Sequence, residues 1–282
     1  MPKHDSDTPP TTPLLRWAGG KRRLLHQILP MVPPKFRRYY EPFFGGGALF
    51  FALQPQFATL SDSNEELMLC YQQVRDSPED VITALNNFPN TQHDYYRIRD
   101  QTPQLDAERA ARIMYLTTLS FNGIYRINNS GRFNVPYSQR HHVNPCNPES
   151  IRRVSKALTG VELLNGDFGN VLGNAQAGDL IYLDPPYTVA HGNNGFVKYN
   201  QRMFHWHDQE RLAQLAGELD ARGCHLIISN ADHASLRELY SRFRIKIISR
   251  NSIIAAASND RKLITECIFH NLEHIENENY AG

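Results

Sequence analysis

Leu180-Ile181-Tyr182-Leu183-Asp184-Pro185-Pro186-Tyr187 decides the fold. Four apolar residues in a row read as a strand buried on both faces, as in a parallel sheet. Two prolines after the acid fix the backbone and remove two amide protons, so the strand must stop there. Similar short apolar runs stand at Tyr39–Phe44, Phe57–Ser61, Val161–Leu164, His225–Ser229, Arg244–Ser249 and Leu263–Phe269. Helical spacing of apolar residues lies between them: a run to about Gln54, then Glu65–Arg75, Pro78–Phe88, Asp106–Ser120, Gln209–Arg222 closed by Gly223, and Ser235–Phe243. Strands alternating with helices predict a doubly wound α/β fold with a mostly parallel, seven-stranded sheet. Only about a dozen residues join the last two strands, too few for a crossover, so the last strand should be antiparallel.

The stretch between the second and third strands differs in character. It carries helices and then Phe121-Asn122-Gly123-Ile124-Tyr125-Arg126, followed by a polar turn at Ser130-Gly131 that leads into Arg132-Phe133-Asn134-Val135-Pro136-Tyr137. This predicts an inserted helical lobe bearing a β-hairpin.

The chain has 282 residues and a formal net charge of +1. Its 41% hydrophobic and 21% charged residues exclude wholesale disorder. Near-neutrality argues against a polyanion partner until the charges are placed. Residues 8–40, 109–148 and 242–262 hold 18 of the 30 basic residues and 1 of the 29 acids. Acids concentrate elsewhere, notably in a tail with Glu266, Glu273, Glu276 and Glu278. A cationic face with an acidic back is the expectation, and the tail glutamates should matter little to it. Cys70, Cys146, Cys224 and Cys267 form no CxxC pair, which argues against a zinc ribbon or disulfide framework and fits a reducing, cytoplasmic compartment. Residues 1–13 read as a disordered Pro/Thr-rich lead-in, not a signal peptide, and no apolar run is long enough for a membrane span. His205-Trp206-His207-Asp208 reads as a loop with Asp208 capping the helix that follows, and His141-His142 as surface; no metal is expected.

Two motifs carry chemistry. Glu41-Pro42-Phe43-Phe44-Gly45-Gly46-Gly47 runs from a strand through a glycine turn into a helix, and Asp62 ends the next strand. Bare backbone lets a ligand lie close, and a carboxylate at a strand end suits ribose hydroxyls. GxGxxG and GxxxxGK[ST] are both absent, so a nucleoside without phosphates fits, S-adenosylmethionine among them. In the second motif, the Asp184 carboxylate and Pro185 carbonyl are two acceptors suited to an exocyclic NH₂, while Pro186 stiffens the turn and Tyr187 can stack on a base. Such a site raises electron density on the amine by positioning and electrostatics, without a strong base.

The order of Arg16–Lys21 (RWAGGK), Glu41–Gly47 (EPFFGGG), Ser61–Glu66 (SDSNEE), Phe121–Arg126 (FNGIYR), Gly131–Tyr137 (GRFNVPY) and Asp184–Tyr187 (DPPY) resembles the Dam-type DNA adenine-N6 methyltransferases of the D12 class, alpha motif order. The resemblance runs from about Leu14 to Phe269. It implies that Trp17, Lys21, Glu41, Phe43, Gly45, Gly47, Asp62, Asp167 and Asp184 bind S-adenosylmethionine, and that Asp184, Pro185, Pro186 and Tyr187 hold a flipped-out adenine. It further implies a catalytic domain of residues 14–75 and 151–272, a target-recognition lobe of 76–150 and an acidic tail of 273–282. In that lobe Arg126 reads a guanine edge, Asn122, Asn128 and Pro136 lie near the bases, and Phe121 fills the gap left by flipping. Arg132, Arg140 and Arg261 are expected on the DNA. The implied site is GATC, on double-stranded DNA, and the implied enzyme is a monomer. The Gly/Asn-rich loop Thr188–Phe204, with Phe196 and Tyr199, is expected to order over the site. The alternative reading is an amino-methyltransferase acting on RNA or on a protein glutamine amide.

Overall fold

The computed structural model describes residues 11–128, 130–188, 204–251, 263–273 and 275. Seven strands form one sheet: β1 (Tyr39–Glu41), β2 (Ala58–Asp62), β3 (Glu162–Asn165), β4 (Leu180–Leu183), β5 (His225–Ala231), β6 (Arg244–Asn251) and β7 (Leu263–His270). Their order is β3-β2-β1-β4-β5-β7-β6. β1 runs parallel to β2 and β4, and β4 parallel to β5. β7 is antiparallel to both β5 and β6, as the short connection requires. All four β4 residues are buried, and each of its three aliphatic side chains contributes about 1.5–3 kcal/mol relative to exposure. Strand order reverses between β1 and β4, and open α/β sheets bind ligands beyond the strand carboxyl ends at such a point. Those ends are Glu41 and Asp184.

The helices are α1 (Leu25–Ile28), α2 (Ala48–Leu53), α3 (Glu65–Asp76), α4 (Pro78–Asn86), α5 (Gln92–Asp100), α6 (Asp106–Leu119), α7 (Pro148–Ala157), α8 (Phe168–Leu172), α9 (Trp206–Ala221) and α10 (Ala234–Leu239). By compactness the chain divides into residues 1–20, 45–54 and 64–165 as one unit, and residues 21–44, 55–63 and 166–282 as a second. In the first unit α6 is the central helix, with Ala110, Ile113, Met114, Tyr115, Leu116 and Leu119 among its buried residues, and it packs against α3, α4 and α5. The Asn64 side chain caps α3 by accepting from the Leu67 amide at 3.0 Å. In the second unit α8 lies against β2 and α9 against β5.

Four details depart from the sequence reading. The helices expected from the sequence do not include α1, α5, α7 or α8. α9 starts at Trp206, so Asp208 caps it from within: its carboxylate accepts from the His205 amide at 2.9 Å in a reciprocal capping box. The hairpin is held by the isolated bridges Ile127↔Phe133 and Ser120↔Tyr137 rather than by a continuous ladder. Glu266 is no tail residue: it lies inside β7, 2% exposed, opposite Ala231 and Ile248.

Phe196, Tyr199, the rest of the loop 189–203, Arg261, residues 1–10, Glu276 and Glu278 lie outside the described residues. Among the described residues no helix is long and apolar enough to cross a membrane, no group of three His, Cys, Asp or Glu side chains could hold a metal, and the four cysteines are buried free thiols.

Candidate active site

Asp184 leaves the end of β4 beside Lys21, which opens a 3-10 turn (Lys21–Leu24). The Lys21 ammonium is 2.7 Å from Asp184 Oδ1, 3.8 Å from Glu266 Oε2, and 4.9 Å from the centre of the Tyr187 ring. The Tyr187 hydroxyl donates to Glu266 Oε2 at 2.6 Å. On neighbouring β1, the Tyr39 hydroxyl donates to buried Glu41 at 2.8 Å. Burial pushes Asp184 up to about 6; Lys21 opposes that rise and Glu266 adds to it. Burial works against the Lys21 charge, but Asp184, Tyr187 and Glu266 outweigh it and hold the ammonium above its ordinary range. Burial also raises Tyr187, against the pull of Lys21. Asp184 and Glu266 thus both face the Lys21 ammonium, two carboxylates to one cation among the described contacts, a surplus of negative charge suited to a cationic group. The Tyr182 hydroxyl and the Asn230 amide nitrogen are buried without a hydrogen-bond partner among the described residues. Both can donate to a ligand.

The second unit also gathers the other acidic strand ends. The Phe44 amide bonds to the Ser61 carbonyl, and the Gly166 amide to the Asp62 carbonyl. Asp167 caps α8, accepting from the Gly169 amide at 2.9 Å, and takes two bonds from the Arg211 guanidinium at 2.6 and 3.1 Å. That guanidinium lies 4.3 Å from the centre of the Phe168 ring. Phe43, Phe168 and Phe204 form a ring cluster with centroids 5.4 to 6.0 Å apart. An aromatic face flanked by carboxylates suits a nucleoside without phosphate.

In the first unit Trp17 covers Gly45. A Cβ at Gly45 would lie 2.8 Å from the indole Cδ1, and its φ is +47°. The bare backbone at this glycine is therefore occupied by the protein's own tryptophan. Gly47, also left-handed, caps α2. Trp17 stacks on Tyr125 at 4.8 Å and 25°, and Tyr125 meets Phe133 edge-on at 5.7 Å. Rings thus run from the glycine turn into the hairpin.

The hairpin residues come together in this same unit. Phe121 is 54% exposed, and Pro136 takes the Phe121 amide bond at its carbonyl. Asn122 has φ +56°. Arg126 Nε donates to Asn134 Oδ1 at 2.8 Å. Asn128 Oδ1 accepts from Ser130 and from the Arg132 amide, closing the turn beneath exposed Arg132. Arg140 donates to Ser138 and to the Thr118 carbonyl; burial and nearby Arg16 lower its pKa.

The sequence reading missed Glu266, Arg211 and Asn90. The Asn90 amide donates to the carbonyls of Arg140, His141 and Val143, and its oxygen accepts from Tyr137. No motif marks these residues, because their roles depend on partners far away in the chain.

A sheet of this order, whose fourth strand ends at an acid paired with a buried lysine, defines a methyltransferase-like α/β enzyme. The chain belongs to the D12 class N6 adenine-specific DNA methyltransferase family, whose family model matches residues 17–254. It is similar to the type II methyltransferase M1.LlaDCHI of Lactococcus lactis subsp. cremoris, with 39% identity over 92% of this chain and 95% of that protein. It is also similar to the type II methyltransferase M.MjaIII of Methanocaldococcus jannaschii, with 33% identity over 89% and 95%. The DNA adenine methylase of Vibrio cholerae shares 28% identity over 94% and 97%. The chain is thus an enzyme that methylates N6 of adenine in DNA, and the RNA and glutamine alternatives fall away.

Proposed function

We propose that the protein takes its methyl group from S-adenosylmethionine and delivers it to an adenine flipped out of duplex DNA, with GATC as the target. The buried Lys21–Asp184–Glu266–Tyr187 cluster at the β4 end carries this reading. S-adenosylmethionine supplies an electrophilic methyl on a sulfonium, and the surplus of buried carboxylates favours such a cation. In the second unit Lys21, Glu41, Phe43, Asp62, Asp167 and Asp184 are the donor-binding residues. Trp17 and Gly47 are further donor-binding residues of this proposal, and Gly45 serves it by seating the Trp17 ring.

The Asp184 carboxylate and Pro185 carbonyl accept from the adenine amine, Tyr187 stacks on the base, and Pro186 holds the turn rigid. The acceptors keep electron density on N6 while the N6–methyl bond forms and the methyl–sulfonium bond breaks, which would leave the neutral thioether, and the N6 proton passes to solvent once that nitrogen is methylated. N6 is committed to pairing inside a duplex, so the base must leave the stack. Residues 76–150 form the reading lobe, in which Arg126 recognises a guanine and Phe121 fills the vacated space. The enzyme acts as a monomer.

Methylation of genomic DNA with labelled S-adenosylmethionine, followed by base-resolution mapping of N6-methyladenine, tests the reading. Label confined to adenine in GATC is the expected result. Label at another sequence overturns the specificity, and no transfer from this donor overturns the cofactor.

A further inference from the structure

Glu266 is a buried carboxylate that the reaction as described uses only for its charge, without contact to base or donor. It stands on β7, two strands from β4, yet it reaches two members of the site. Its Oε2 accepts from the Tyr187 hydroxyl at 2.6 Å and lies 3.8 Å from the Lys21 ammonium. An ionised acceptor makes the phenol hydrogen bond short and strong, and it fixes the ring about its last free torsions. A stacking platform held before the base arrives loses no entropy when the base lands.

We propose that Glu266 is a positioning residue for methyl transfer, holding the Tyr187 ring by its hydroxyl and sharing Lys21 with Asp184. The proposal rests on the reading that Asp184 and Tyr187 hold the target adenine. Glu266 touches neither base nor donor in this scheme; it acts through the ring and the ammonium.

Its charge has a second effect. Asp184 is faced by Lys21 from the 3-10 turn, by Tyr187 beyond β4 and Tyr182 on it, by Tyr39 on β1, by Ser229 on β5 and by Glu266 on β7. Burial makes Asp184 harder to ionise, Lys21 opposes this, and Glu266 reinforces it. Removing the Glu266 charge therefore moves the Asp184 titration to lower pH.

The test compares Glu266→Gln, Glu266→Asp and Tyr187→Phe, with Asp184→Asn as the reference. Single-turnover methylation is measured across pH 4.5–8, beside donor affinity and thermal unfolding. In Glu266→Gln the rate should fall about tenfold to a hundredfold, the loss expected for a hydrogen bond to a charged group. Donor affinity should fall by less than the rate does, because one buried negative charge near the sulfonium is lost, and the acid limb should move to lower pH. Glu266→Asp, shorter but still charged, should lose rate and leave the limb in place. Tyr187→Phe should lose as much as Glu266→Gln, and the double variant no more than either alone.

A Glu266→Gln enzyme with unchanged rate and limb overturns the proposal. So does a loss equal at every pH with additive effects of Tyr187→Phe, since that is a purely structural role. Should Glu266→Gln not fold, Tyr187→Phe alone decides: a wild-type rate overturns the hydroxyl anchor. Activity retained in Asp184→Asn sinks the underlying site reading instead, so the two failures are distinguishable.

Discussion

Lys21 and Asp184 form a buried ion pair 2.7 Å long, joining the turn that follows RWAGG to the end of β4. Breaking a buried pair from one side leaves an uncompensated charge and destabilises by about 3–5 kcal/mol. Lys21→Met should therefore lower unfolding stability by that order in urea titrations at pH 7. Asp184, left beside Glu266, can escape by protonation. The loss should shrink at pH 5; a loss independent of pH would mean that packing of the lysine stem, not its charge, dominates.

The same pair sets a pH dependence of activity. In the proposed role Asp184 accepts best from the amine when ionised, and its pKa is pushed up to about 6. The kcat/KM profile should fall below about pH 6. For stability the sign is unfavourable to the acid. The folded chain binds a proton more tightly than the unfolded chain between the ordinary carboxylate value of 3.8 and about 6. Ionised Asp184 thus works against folding above pH 6, and this effect fades as pH falls through 6 toward 4. Lys21 is shifted upward, so its contribution is complete below the ordinary lysine value of 10.5 and is lost only as pH rises through its higher folded value. Paired pH–rate and pH–stability curves check both signs.

All seven strands were legible because their residues are apolar, β-rich and short-spaced, and the antiparallel β7 followed from connection length alone. α5 and α7 were not. α5 (QHDYYRIRD) buries only Tyr95 and Ile98, a stripe one turn long, and is otherwise polar; α7 (PESIRRVSKA) does carry a narrow stripe, Ile151, Val154 and Leu158 just past its end, set among charged residues. Charge was the least legible property. Arg109 belongs to a stretch without acids, yet it pairs with Glu66 at 2.5 Å and Asp106 at 3.1 Å, and Arg112 turns inward to the Ile98 and Arg99 carbonyls. Glu266, counted with the tail, is instead buried against Lys21 and Tyr187. For Arg109 the segregation along the chain does not survive folding, because Glu65 and Glu66 reach it from another helix.

Residues 16 and 17 press on two bare backbones, and this makes a stability prediction. A Cβ at Gly45 would meet the Trp17 ring at 2.8 Å, and one at Gly123 would meet Arg16 Cδ at 2.7 Å, with φ +47° and +65°. Left-handed strain alone costs roughly 1–2 kcal/mol. Gly45→Ala should cost more, because the indole is a rigid neighbour. Gly123→Ala should also cost more than the strain alone, because Arg16 Cβ, fixed to its own backbone, lies 3.0 Å away beside the 2.7 Å contact with Cδ. A loss at either glycine no larger than the strain, read by thermal unfolding, would refute the crowding argument.

The hairpin arginines separate reading from holding. Arg126 is held by Asn134, so its guanidinium is oriented before DNA arrives. Arg126→Ala should weaken methylation of the cognate site by the ~1–3 kcal/mol of a bidentate guanine contact, with non-cognate binding and donor affinity little changed. Asn134→Ala should reproduce part of that loss without touching a base. Arg132 is exposed at the turn. If it contacts phosphate, Arg132→Ala should weaken cognate and non-cognate binding equally and lower the salt slope by ~0.9. Arg140 differs from both, since its donors go to Ser138 and the Thr118 carbonyl. Its removal should loosen the hairpin, which hydrogen exchange at Leu119 and Ser138 would register, as well as weaken DNA binding. Binding isotherms at four salt concentrations on cognate and scrambled duplexes distinguish the three arginines. A specificity change in Arg132→Ala, or none in Arg126→Ala, would reverse the assignment.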